Sequence, residues 1–206
     1  AHLLRDPVTG DPMRARARAA WGWAPDAPTL LITGGSTGAA SLNAAAADVV
    51  ERLVQHGIHV LHLTGTGKSD GAERARGNLS ARHREMYVIR EYVEDMETAF
   101  AAADAVVCRA GANTVCEISA LGLPAVYVPL PHGNGEQALN AKGAVDAGAA
   151  TIVHDSELTA AALELVAEPL VLDRKARDAA RTAAASIGVA DGAVRLAEII
   201  ERVARR

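Results

Sequence analysis

The stretch A-V-V-C-R-A-G-A-N-T-V-C-E-I-S-A-L, residues 105–121, reads as a buried strand, a glycine turn and a helix in immediate succession. Ala105 to Cys108 is short and apolar enough for a strand covered on both faces. Gly111 lets the chain turn sharply, and Thr114 to Leu121 has helical spacing. The first N–H groups of a helix have no partner within it, so this start attracts an anion. Glu117, one turn inside, repels an anion and is therefore expected to face hydroxyl donors such as those of a ribose. If the anion is a diphosphate, diphosphate plus ribose means a nucleotide.

The same order of strand, polar loop and helix recurs on either side. Strands are expected at Thr29 to Thr33, His59 to Leu63, Met86 to Ile89, Ala125 to Pro129 and Ala150 to Val153. Helices are expected at Ala39 to Gln55, Gly71 to Arg82, Asp95 to Ala103 and Glu136 to Ala147. Three more, Thr159 to Ala167, Arg174 to Ile187 and Gly192 to Arg205, finish the chain. With Ala105 to Cys108 this makes about six strands alternating with helices. That pattern predicts an α/β fold, a Rossmann-like doubly wound parallel sheet covered on both faces. Ligands of such sheets bind beyond the carboxyl ends of the strands, which directs attention to the loops after Thr33, Leu63, Ile89, Cys108 and Pro129.

Composition removes several classes. The 206 residues, 50% hydrophobic and 22% charged, suffice for one good core. A net charge of -4 with dispersed arginines leaves no basic footprint for nucleic acid. Two cysteines, Cys108 and Cys116, form neither a zinc pattern nor a disulfide framework, and both are expected to be buried thiols. There is no apolar run long enough to span a membrane and no secretory signal. The opening A-H-L-L-R-D-P-V-T-G reads like the tail of something earlier, which suggests a piece of a longer protein.

The loops carry the candidate chemistry. Gly34, Gly35, Ser36, Thr37 and Gly38 lie between a strand and a helix start, where backbone N–H groups approach a phosphate or merely make a tight turn. Their spacing is not G-x-G-x-x-G, and no acidic residue ends the second strand, so NAD is disfavoured. Gly65-Thr66-Gly67-Lys68-Ser69 resembles the end of a P-loop, but its required first glycine is His62. In Arg90 to Met96 the aromatic Tyr92, Val93 and Met96 could frame a flat base or simply pack a strand end. Gln137 and Asn140 stand three apart at a helix start, suited to a polyol, with His132 and Glu136 nearby. No D-x-D pair is present, so no metal is expected, and charge on a diphosphate would fall to helix N-termini and to Arg14 or Arg109.

Together, G-G-S-T-G-A at 34–39, Y-V-E-D-M at 92–96, C-R-A-G-A-N-T-V-C-E at 108–117, G-L-P-A-V-Y-V-P at 122–129 and H-x-x-x-x-Q-x-x-N-A at 132–141 resemble the MurG family. Members add N-acetylglucosamine to lipid I, giving the lipid II precursor of peptidoglycan. The resemblance covers only the family's C-terminal, donor-binding half, from about Gly10 onward. It implies one of two Rossmann-like domains of a GT-B glycosyltransferase, with residues 1–20 as an interdomain segment or a remnant of the missing N-terminal domain and 21–206 as the UDP-sugar domain.

Carried over, it puts phosphate at Ser36, with Gly35, Thr37 and Gly38 beside it, and uracil at the Val93 main chain and Met96. Ala112, Asn113 and Thr114, after Gly111, face diphosphate and sugar; Glu117 takes the ribose, and Gln137 the GlcNAc hydroxyls. Gly10-Asp11-Pro12-Met13-Arg14 is similar to the family's G-N-P-V-R segment and makes Arg14 a diphosphate ligand. Glu136 departs from a frequent Gln, and Asn113 from a frequent aliphatic or small residue.

No cofactor is implied. The implied partners are UDP-GlcNAc and, through an absent N-terminal domain that also brings the catalytic base, undecaprenyl-linked lipid I. The whole enzyme would be cytoplasmic, peripheral on the inner face of the plasma membrane. A non-catalytic UDP-sugar subunit serving a separate acceptor-binding chain is the alternative. A UDP-GlcNAc epimerase would need catalytic carboxylates for which this sequence offers no place.

Overall fold

The computed structural model describes residues 12–132, 134–189 and 191–205. Its centre is a sheet of six parallel strands: β1 (Thr29–Thr33), β2 (His59–Leu63), β3 (Tyr87–Arg90), β4 (Ala105–Cys108), β5 (Ala125–Tyr127) and β6 (Ala150–Ile152). Their spatial order is β3-β2-β1-β4-β5-β6. The chain therefore winds outward one way from β1, then returns and winds the other way from β4. Thr33 pairs with Cys108 at the carboxyl ends of those two central strands, where the winding reverses and a crevice opens.

The helices are α1 (Pro12–Ala20), α2 (Ala40–Gln55), α3 (Asp70–Asn78), α4 (Ala81–Glu85), α5 (Met96–Ala102), α6 (Ala112–Ala120), α7 (Glu136–Asp146), α8 (Ala160–Leu172), α9 (Arg174–Ile187) and α10 (Gly192–Ala204). Strand side chains alternate between two cores. Leu30, Ile32, Val60, Tyr87 and Val107 face one, packed with α2 and α8 residues such as Val49, Leu53, Leu163 and Val171. Leu31, Leu61, Val106 and Tyr127 face the other, with Trp23, Phe100, Ile118 and Ala184. Burial on both sides explains why the central strands are continuous apolar runs. Among the described residues, no helix is long and apolar enough to cross a membrane.

Three helices depart from the sequence expectation. The single helix expected over 71–82 is two, because Leu79 is extended (φ -73°, ψ 154°) and buried, and Ser80 then caps α4 by accepting from the His83 N–H. Gly77 and Asn78 just before it are poor helix formers, so the break costs little. The helix expected to stop at Ala167 runs on through Pro169 to Leu172. Leu163, Ala167 and Val171, one turn apart, bury a continuous stripe that outweighs the lost proline hydrogen bond. Asp173 then ends α8 and accepts from the Lys175 and Ala176 N–H groups to start α9. The third, α1, lies within the segment expected to be an interdomain connection.

That helix is held by charge. Arg18, 3% exposed, donates to Asp104 Oδ2 (2.7 Å) and the Ala102 carbonyl (3.0 Å). Arg14 and Arg181 of α9 both donate to Asp104 Oδ1, at 2.7 and 3.1 Å. Asp104 also accepts from the Thr29 N–H at 2.9 Å, so the knot lies at the amino ends of β1 and β4. Burial, then Arg14, pulls the Arg181 pKa down to about 10.

Candidate functional site

A cleft of about 390 Å³ opens at the carboxyl ends of the strands over the reversal point. Thr33, Gly35 and Ser36 line one side, and Cys108, Arg109, Gly111, Thr114 and Glu117 the other. Leu63, Glu91, Tyr92, Val93, Met96 and Phe100 form a largely apolar end wall, and Gln137 closes the rim.

The loops that lead into α2 and α6 line this cleft. α2 begins after Ala39 and α6 after Gly111, neither with a capping side chain. α3, α7 and α10 share that lack, whereas α4, α5, α8 and α9 are capped by Ser80, Asp95, Thr159 and Asp173. A helix start without a side-chain cap offers its N–H groups and dipole to a ligand. Glu117 and Ser36 are exposed and Thr114 is half-buried. Anion-seeking N–H groups and a free carboxylate thus meet at one cleft.

The first glycine loop is fixed by the second. Gly38 (φ +67°) is seated so closely on Thr64 that a Cβ there would stand 2.1 Å from its carbonyl oxygen. Gly65 (φ +85°) meets Gly38 in turn, and its own Cβ would lie 2.5 Å from the Gly38 backbone. Only glycine permits that approach and that φ. Lys68 Nζ donates to the Thr37 carbonyl at 2.6 Å, so the residue that looked like a P-loop lysine ties loop to loop. Glu91 is held below the ordinary carboxylate range by the Gly67 N–H and the Ser69 hydroxyl.

Of the residues singled out from sequence, Gly35, Ser36, Val93, Met96, Arg109, Gly111, Thr114, Glu117 and Gln137 come together in the cleft wall. Ala112 and Asn113 are exposed at the start of α6; Thr37 is exposed and Gly38 half-buried in the first loop. His132, Glu136 and Asn140 are exposed beyond the rim, and Gly133 lies outside the described residues. Thr33, Leu63, Cys108 and Phe100 were not anticipated in the wall. For Thr33, Leu63 and Cys108 the position at a strand end is the available signal; Phe100 lies inside α5 and has none.

Several expectations need correction. The Arg14 guanidinium is on Asp104 at the amino edge, opposite the cleft, so the structure does not bring it to a diphosphate. Gly10 and Asp11 of its motif lie outside the described residues. Arg109 contributes to the wall, but its guanidinium is already spent on the Val128 and Pro129 carbonyls (both 3.1 Å), Asp155 (2.5 Å) and Ser41 (3.0 Å). Burial raises the Asp155 pKa, but Ser41 and Arg109 reverse that and hold it below its ordinary value. Gln137 Oε1 accepts from the Ala110 and Leu130 N–H groups at 3.1 and 3.0 Å, and Asn140 donates to the Ala110 carbonyl. Asn140 is therefore a brace, and Gln137 keeps only its Nε2 for a ligand. Cys108 is buried as expected, but Cys116 is exposed, because helical spacing turns Val115, Ile118 and Ser119 inward instead.

Among the described residues, the His and carboxylate groups near enough to share an ion are His56, Glu164 and Glu168. They lie on the outer side of α2 and α8, where Arg52 already pairs Glu164 at 2.6 Å.

Residues 29–196 match the C-terminal domain of glycosyltransferase family 28. The chain belongs to that family. This family 28 domain is 49% identical over 197 residues to a Mycolicibacterium vanbaalenii protein and 44% identical over 191 residues to one from Acidothermus cellulolyticus. Both carry the name UDP-N-acetylglucosamine--N-acetylmuramyl-(pentapeptide) pyrophosphoryl-undecaprenol N-acetylglucosamine transferase. The alignments cover 94% and 93% of this domain but 47% and 52% of those proteins, so the chain spans about half the length of the curated relatives it matches. The crystal structure of Acinetobacter baumannii MurG superposes with a TM-score of 0.75 at 28% identity, over 92% of this chain and 53% of that one. A Staphylococcus aureus MnaA structure with UDP, 12% identical at a TM-score of 0.66, shares the fold.

Proposed function

We propose that this domain is the donor-binding half of an inverting GlcNAc transferase that converts lipid I to lipid II. The observation that carries this is the pairing, across one cleft, of the uncapped α6 start and Glu117 with the Ser36 loop. The names borne by relatives at 44% and 49% identity supply the sugar and the acceptor.

In this reading the diphosphate lies between the starts of α2 and α6, whose N–H groups and dipoles take up charge as UDP leaves. Glu117 accepts from both ribose hydroxyls. The Val93 main chain reads the uracil edge, Met96 packs on its face, and the neighbouring Phe100 and Leu63 keep that end apolar. Ala112, Asn113 and Thr114 face the diphosphate and sugar. Gln137, its oxygen occupied, donates from Nε2 to a GlcNAc hydroxyl.

An acceptor hydroxyl attacks the anomeric carbon in line, and the bond from that carbon to the diphosphate oxygen breaks. The base that takes the hydroxyl proton comes from outside these residues, as do the acceptor site and the contact with the inner membrane surface. In this reading residues 1–20 are the interdomain segment or a remnant of that other half.

Calorimetric titration of the 206-residue chain tests the reading. One-to-one binding of UDP-GlcNAc, retained by UDP and lost with ADP, is the expected result. No heat with either uridine ligand at millimolar concentration would overturn it.

A further inference from the structure

Behind the glycine loop runs a row of side chains, buried at His62 and Tyr87 and half-buried at Asn43, in which each hydrogen-bond donor can be assigned. Asn43, in the first turn of α2, donates from Nδ2 to the Thr64 carbonyl at 2.8 Å. A backbone carbonyl only accepts, so the amide cannot be flipped, and Oδ1 faces His62 Nε2 at 3.1 Å. Oδ1 also only accepts, so Nε2 carries the ring proton. Nδ1 is then bare and accepts from the Tyr87 hydroxyl at 2.7 Å. His62 is fully buried, and burial pulls its pKa down to about 4, which keeps the ring neutral at pH 7. Donation therefore runs one way, from Tyr87 through His62 and Asn43 to Thr64, and each bond polarises the next.

The last acceptor in the row is the atom on which the first glycine loop rests. Gly38 has no room for a side chain against the Thr64 carbonyl, so a shift of that oxygen moves Gly38 and the loop that carries Ser36. Asn43 reaches the carbonyl from within α2, the helix whose start faces the cleft. One amide thus ties both anion-facing elements, loop and helix start, to the second strand.

We propose that Asn43 is a positioning residue that sets the loop 34–38 and the start of α2 for the diphosphate, its amide oriented by the Thr64 carbonyl and backed by the His62 ring. The diphosphate rests on the function proposed above; the loop-setting role does not. A purely structural brace would lower stability without a separate effect on the loop.

The test compares Asn43→Ala with Tyr87→Phe in the 206-residue chain. The second change breaks the row two links from the loop and leaves the Asn43 to Thr64 bond in place. Three readouts are taken: thermal unfolding, calorimetric titration with UDP, and amide hydrogen exchange at residues 34–38 without ligand. Asn43→Ala is expected to weaken UDP binding at least about tenfold and to speed exchange in the loop. Tyr87→Phe is expected to lower the unfolding temperature comparably, yet keep affinity within about threefold and loop exchange as in the native chain.

Asn43→Asp, examined at about pH 8 where the carboxylate is ionised, keeps size and the acceptor for His62 but has no donor for Thr64, so it is expected to speed loop exchange as Asn43→Ala does; it also serves if the alanine variant does not fold. Native loop exchange and near-native affinity in both Asn43 variants would overturn the proposal. So would losses of affinity that simply track stability across all variants. If the native chain itself does not bind UDP, the nucleotide reading fails alone, and loop exchange in the Asn43 variants decides the positioning role.

Discussion

The two edges of this sheet treat polar groups in opposite ways. At the amino edge, Arg14, Arg18, Arg181 and the Thr29 N–H all converge on one carboxylate, Asp104, itself 5% exposed. The charges there are spent on each other, and the result is a fastening for α1 and α9. At the carboxyl edge, Glu117 and Ser36 are exposed, and the starts of α2, α3, α6 and α7 lack side-chain caps. Uncapped helix starts forgo stability and exposed groups add little, and a fold retains them where something else is to bind. The difference separates an edge built for holding from one built for binding.

The largest test acts on the holding edge. Asp104→Asn leaves three arginines around a neutral amide and is expected to cost about 3–5 kcal/mol in urea unfolding, with UDP affinity of the folded fraction unchanged. A loss below about 1 kcal/mol would mean that the knot is not a fastening.

Next comes acid, which enters from the binding edge through His62. Its folded pKa of about 4 lies below the unfolded value of about 6.5, so the unfolded state binds the extra proton. Stability from the neutral ring is full above about pH 6.5 and is lost as pH falls toward 4, by about 3 kcal/mol at pH 4. Denaturant melts of the native chain and His62→Gln at both pH values should show the difference between them changing by that amount.

Glu117→Ala comes third. Removing two charge-assisted hydrogen bonds of about 1.5 kcal/mol each weakens UDP binding about a hundredfold, while stability moves by less than about 0.5 kcal/mol. Unchanged affinity by calorimetry would sink the ribose assignment. The smallest effect belongs to neither edge. Lys142→Ala breaks an exposed pair with Asp146 on α7 and should shift unfolding by about 0.3–0.5 kcal/mol, a baseline for the other three.

This asymmetry was only half legible beforehand. Strand runs such as Thr29–Thr33 and Ala105–Cys108 declare themselves because burial on both faces demands unbroken apolar residues, and the loops after them announce the binding edge. The α6 start and Glu117 could be read for the same reason, since strand, turn, helix and carboxylate are contiguous. Asp104 could not be read as a hub, because its partners at 14, 18 and 181 are far apart in the chain. Arg14 was drawn to the wrong edge by its local motif, which carries no information about where α1 docks. The brace made by Gln137 and Asn140 was also hidden, because a carboxamide near a cleft looks the same whether it faces a sugar or a backbone. His62 entered the reading only as the residue that spoils a P-loop, since its partners Tyr87 and Asn43 lie on other elements.

The backbone contact between Gly38 and Gly65 makes the two glycine loops a single unit of inheritance. Neither can gain a side chain or an extra residue without pushing the other off its seat. New ligand preferences at this edge would have to arise on walls free of that contact, at Tyr92 to Met96 or around Asn113. Any change to the backbone of this loop at Gly38 has to be matched at Thr64 and Gly65.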